Sequence, residues 1–115
     1  MATDPHLVSF IECFNRQAYY EAHDVLEELW LKTTGERRDF YKGLIQTAVV
    51  FLKLQQGKPE PARRLAQRAA SHLEKYPRVC ERLSVEEVLR WLHDVGRGSN
   101  LVAEGNPPRL ELLDT

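Results

Sequence analysis

His23 and Glu27 stand four residues apart in the run Tyr19 to Leu31, and Trp30 follows three residues later. On a helix this spacing puts an imidazole and a carboxylate on one face, where they can bond to each other or ligate one ion together. Glu27 could also serve as a general base beside such an ion. Gln46, in Gly43-Leu44-Ile45-Gln46-Thr47-Ala48, adds a carboxamide that donates and accepts hydrogen bonds and so suits either group. Tyr19, Tyr20 and Tyr41 lie in the same segments and, with Trp30, could wall a pocket for a small molecule or peptide. A second, basic set comprises Arg64, Arg68, His72 and Lys75, reinforced by Arg63, on one side of another segment. That side could attract phosphate or an acidic partner.

These groups need helices to position them. Asp4-Pro5 reads as an acidic cap before a proline at the first helical position, opening a helix that runs to about Asn15 with Leu7, Phe10, Ile11 and Phe14 on one face. A second helix spans Tyr19 to Leu31 and stops at Thr33-Thr34-Gly35. The third, roughly Arg38 to Gln56, ends at Gly57, and Gly43 within it leaves room for a close neighbour. The fourth runs from about Pro61 to Tyr76, with Ala62, Leu65, Ala66, Ala69, Ala70 and Leu73 on one face. Ser84 to Glu87 reads as a capping box for a fifth helix, buried through Val85, Val88, Leu89 and Leu92. No strand alternation is visible. The expected fold is therefore all-α, a compact bundle of about five helices over residues 1–95, followed by an extended or loosely ordered tail over 96–115.

With about 100° per residue, the second helix is apolar around most of its circumference, and His23 and Glu27 fall between Trp30 on one side and Tyr20 and Leu31 on the other. A group turned inward needs company, so the cluster His23, Glu27 and Gln46 reads first as a polar network that fixes helix register, with a cost of about 1–3 kcal/mol for orphaning a member. Its second reading is a ligand pocket. A metal-dependent hydrolase is the contrasting hypothesis, but His23 and Glu27 are only two ligands, and the chain has neither His-Glu-x-x-His nor paired Glu-x-x-His motifs. His72 or Glu12 would have to complete such a site through packing. The sequence leaves catalysis undecided and weighs toward a non-enzymatic domain without a cofactor.

At Phe14-Asn15, at Tyr19-Tyr20-Glu21-Ala22-His23-Asp24-Val25-Leu26-Glu27-Glu28-Leu29-Trp30, and at Asp39-Phe40-Tyr41-Lys42-Gly43-Leu44-Ile45-Gln46, the chain resembles the domain of unknown function 309 family. The similarity covers roughly residues 10 to 75, and its specific part is His-x-x-x-Glu-x-x-Trp. It implies a compact helical bundle and no particular activity. This sequence departs from the family pattern in having Asp24 where glutamate is usual, Gln17 where glycine is frequent, and Leu31 where an arginine often follows the tryptophan.

Composition narrows the remaining classes. The 115 residues suit one domain, and 16 Lys and Arg against 17 Asp and Glu give a net charge of −1, so a nucleic-acid partner is not expected, and weak nucleic-acid or anion binding through the basic side of the fourth helix stands as a second alternative. The most apolar stretch, Leu44 to Leu54, is interrupted by Gln46, Thr47 and Lys53 and is far shorter than the roughly 20 residues a membrane helix needs. Two distant cysteines, Cys13 and Cys80, suggest neither a zinc ribbon nor a disulfide framework, which points to the cytoplasm. The expected partner is a small molecule or a protein, and the oligomeric state is left open.

Overall fold

The computed structural model describes residues 3–113, so the ends of both expected segments, residues 1–2 and 114–115, lie outside the described residues. Five helices follow in order: α1 (Pro5–Asn15), α2 (Tyr19–Lys32), α3 (Arg37–Gln55), α4 (Pro59–Leu73) and α5 (Val85–Gly96). Between α4 and α5 a two-residue antiparallel pair, β1 (Val79–Cys80) with β2 (Leu83–Ser84), forms a hairpin in the register Val79 to Ser84 and Cys80 to Leu83. The fold is an all-α bundle with this one small exception to the expectation of no strands. α3 is the central helix, packed between α2 and α4, with α1 against α2 and α5 against α4.

The helix ends follow the capping chemistry. Asp4 accepts a hydrogen bond from the backbone N–H of His6 at 2.8 Å with Pro5 at the first position of α1. α2 closes when Thr33 Oγ1 donates to the Leu29 carbonyl at 2.7 Å and Arg38 donates to the carbonyls of Trp30 and Thr33 at 3.1 and 3.0 Å. α3 stops at Gly57, whose φ of +71° is the left-handed conformation that glycine adopts without steric cost. α4 begins at Pro59, two residues before the expected Pro61, because the earlier proline takes the first-turn position, where an N–H is dispensable.

The core is centred on Phe14. Its ring meets Phe10, Tyr19, Phe51 and Trp91 at centroid separations of 5.3 to 6.1 Å, joining α1, α2, α3 and α5 through one side chain. The alanine face of α4 (Ala62, Ala66, Ala69, Ala70) is buried with Leu73, while Leu65 is partly exposed. α4 lies so close to α3 that a Cβ placed on Gly43 would meet Leu73 Cγ and Cδ2 at 2.7 Å. After α5 the chain makes a turn over 101–105 and then runs without regular structure to 113. It is held there: the Asn15 carboxamide donates to the Leu110 carbonyl at 2.8 Å and accepts from the Leu110 N–H at 2.7 Å. Farther along, Leu113 N–H donates to the Arg82 carbonyl at 2.7 Å and Arg82 Nε to the Leu113 carbonyl at 2.9 Å. Leu110 is buried in consequence. No helix among the described residues is long and apolar enough to cross a membrane.

Candidate functional site

α2 turns His23, Glu27 and Trp30 toward one edge of the bundle rather than into its centre, which is occupied by Tyr19, Ala22 and Leu26. The imidazole of His23 bridges two carboxylates of its own helix, with Nε2 at 3.2 Å from Glu27 and Nδ1 at 3.1 Å from Asp24. Neither group is sealed from water; 27% of the His23 side chain and 44% of the Glu27 side chain remain accessible. Trp30 is half-buried, and α3 brings two cations to its ring: the Arg38 guanidinium carbon lies 4.1 Å and Lys42 Nζ 4.6 Å from the centroid. Such cation–π contacts contribute about 0.5–1 kcal/mol each when exposed and hold the indole in place.

The expected network does not close through Gln46. Its Oε1 is buried without a hydrogen-bond partner, while His23 finds both of its partners on α2. Each ring nitrogen of His23 already faces a carboxylate of its own helix, which leaves none for Gln46. The expected aromatic pocket is likewise dispersed. Tyr19 is in the core against Phe14 and Phe51, and its hydroxyl has no partner. Tyr41 points to the hairpin, where its hydroxyl donates to Glu81 Oε2 at 2.7 Å, the same carboxylate that Arg37 Nε approaches at 3.3 Å. Only Tyr20 stays beside His23, with rings 6.2 Å apart.

Burial pushes the Tyr19 hydroxyl up from 10.0 to about 12, and burial together with the bond to Glu81 pushes Tyr41 up as well. A phenol held neutral in the fold but free to ionise when unfolded favours folding fully below pH 10, and that stabilisation is lost as the pH rises toward the folded value. Tyr19→Phe should therefore weaken the loss of stability above pH 10, as followed by urea denaturation at a series of pH values. At pH 7 the same substitution should leave stability unchanged or raise it by up to about 1 kcal/mol, since it deletes a buried hydroxyl that bonds to nothing.

Among the described residues no three His, Cys, Asp or Glu side chains are placed to hold a metal ion, so His23 and Glu27 do not gain the further ligands a hydrolytic centre needs. His72 lies elsewhere, with its Nδ1 buried without a hydrogen-bond partner and 3.9 Å from the Asp39 carboxylate. Asp39 in turn accepts a 2.6 Å bond from Lys75, which holds its carboxyl below the usual carboxylate range. The expected anion-binding residues Arg64, Arg68 and His72 do share a surface, lining a shallow cleft of ≈440 Å³ with Gln67 and Ser71.

Comparison with known proteins settles the family. The family model described as "Domain of unknown function (DUF309)" matches residues 7–65. The chain belongs to that family. The matched span covers most of α1, all of α2 and α3 and the first half of α4, and so includes His23, Glu27, Trp30 and Gln46 of the DUF309 domain but not Arg68, His72 or α5. An Aquifex aeolicus (strain VF5) relative, named "Uncharacterized protein", is 28% identical over 99 residues, which are 85% of this chain and 29% of the relative. The chain thus spans under a third of the length of that relative. No solved structure matches this chain. Within the DUF309 domain, the departure at Gln17 has a visible consequence: this residue takes φ +61°, a left-handed turn between α1 and α2 that glycine would enter more easily.

Proposed function

We propose that this DUF309 domain is a docking module whose contact face is the edge of α2 around Trp30. The observation that carries this reading is the placement of exposed apolar side chains. Among the described residues the large hydrophobic side chains left in water are Tyr20, Leu31 and Val79, and the first two, 59% and 65% exposed, are both on α2. They are eleven positions apart, close to three full turns, so they share a side of the helix with Asp24 and Glu27. Trp30, fixed by Arg38 and Lys42, sits at the margin of that stripe. A rigid Trp with Tyr and Arg beside it is the composition from which energetic centres of protein interfaces are built.

The His23–Glu27 pair then belongs to the contact surface and not to the architecture. Glu21, Asp24 and Glu27 make the Tyr20–Leu31 stripe acidic while Arg38 and Lys42 cover Trp30 at its margin, so the fitting partner is a protein segment that offers an apolar side chain to Tyr20 and Leu31 and basic side chains to the carboxylates. Two buried cysteines without a disulfide are in keeping with a cytoplasmic setting. A photo-crosslinking residue in place of Leu31, introduced into the protein in its source organism, tests the reading. One discrete protein adduct is expected, weakened by Glu27→Ala and absent when the crosslinker replaces Gln67 on α4. Equal adducts from both positions, or none from Leu31, would overturn it.

A further inference from the structure

A second candidate site lies away from α2, where the docked C-terminal segment and α5 enclose a cleft of ≈460 Å³ lined by no residue of α2. Its volume is within the range of small-molecule sites, which are typically ~300–1,000 Å³. Trp91 lines the cleft, and its indole is backed by Phe14, stacked at 6.1 Å with an interplanar angle of 17°. Three acidic residues line it too, Glu87 and Asp94 from α5 and Glu111 from the segment, against one basic residue, Arg109. The carboxylates are largely uncommitted. Glu87 and Glu111 have no ion-pair partner among the described residues, and Asp94 has only the largely exposed Arg97 at 3.7 Å. The sequence predicts that Glu87 completes a capping box with Ser84, yet only half of it forms: the Glu87 N–H donates to Ser84 Oγ at 3.2 Å, and Glu87 is among the residues that line the cleft.

An aromatic wall with an excess of negative charge selects a cation with an apolar body. Glu87 and Asp94 are seven residues apart on α5, hence about 10 Å along its axis, with Trp91 between them. We propose that this cleft binds an aliphatic polyamine, its methylene chain lying on Trp91 and its ammonium groups at Glu87, Asp94 and Glu111. Two ammonium groups joined by a flexible chain can reach both ends of the α5 stripe, which a single ammonium cannot. The site exists only while the segment is docked, so Asn15, through its paired bonds to Leu110, is a positioning residue for it.

Spermidine is the probe, and the indole N–H resonances of a ¹⁵N-labelled full chain are the readout, since Trp30 and Trp91 report the two faces separately. A saturable shift at Trp91 with a Kd below about 1 mM at physiological salt, and none at Trp30, is expected. Glu87→Gln combined with Asp94→Asn should weaken binding at least about tenfold while the spectrum remains that of a folded protein. Butylamine, with one ammonium, should bind at least about tenfold more weakly than spermidine. The proposal fails if Trp91 does not respond, if both indoles shift together, if the double variant binds as before, or if butylamine matches spermidine. Tighter binding of a hexalysine peptide than of spermidine would also overturn it, by making the cleft part of a protein interface.

Discussion

Phe14→Ala should lower the free energy of unfolding by about 3–5 kcal/mol, the usual cost of deleting a buried aromatic ring. The upper part of that range is expected because Phe14 has no accessible surface and its ring touches Phe10, Tyr19, Phe51 and Trp91 at once. No one of these neighbours can fill the space without abandoning its contact with another, so the cavity should persist. A domain of this size has about 5–15 kcal/mol in total, which places the variant near the limit of folding at 37 °C. Phe14→Leu keeps most of the volume and should cost less than about 1.5 kcal/mol. Urea denaturation of the two variants checks the difference; equal losses would mean that the ring is not the meeting point of four helices.

Gly43→Val should cost about 2–3 kcal/mol, for the opposite reason. The first added carbon alone would stand 2.7 Å from Leu73 Cγ and Cδ2 and 3.3 Å from His72 Cβ. Leu73 is fully buried and cannot swing away, so α3 and α4 must separate. The contest with helix propensity is uneven: replacing glycine gains at most about 1 kcal/mol in a helix interior, less for a β-branched residue, and overpacking exceeds it. Because α4 lies against α5, the same displacement should loosen the Trp91 environment, visible as a change in its fluorescence. A variant as stable as the natural protein would contradict the close approach.

How much of this could be read beforehand follows from the range of the interactions involved. Helix ends were legible at Asp4-Pro5, Gly57 and Ser84, where one residue supplies the cap or the left-handed turn by itself. The close packing at Gly43 was legible too, as a glycine inside an otherwise apolar helix. The hairpin was not, because Glu81 and Arg82 hold its two positive-φ positions at +49° and +67°, and neither is a residue that announces such a turn. The docking of the C-terminal segment depends on Asn15, 95 positions from Leu110, a separation that no local pattern encodes. The candidate site was legible in part. The pairing of His23 with Glu27 follows from helix spacing alone, whereas the fate of Gln46, Tyr19 and Tyr41 depends on how α3 is rotated against its neighbours. Arg38 and Lys42 share a face of α3 by the same spacing, four positions apart, but their meeting with Trp30 depends on how α3 packs against α2.

Docking through α2 requires that its charged pair be contact surface and not internal scaffolding. Thermodynamic stability of His23→Ala and Glu27→Ala measures this directly in the purified chain. Each should shift the free energy of unfolding by no more than about 1 kcal/mol, the range of ion pairs that water still reaches. A loss of about 3 kcal/mol in either variant would mean that the pair is an uncompensated buried interaction when broken, and would contradict the assignment of this face to docking.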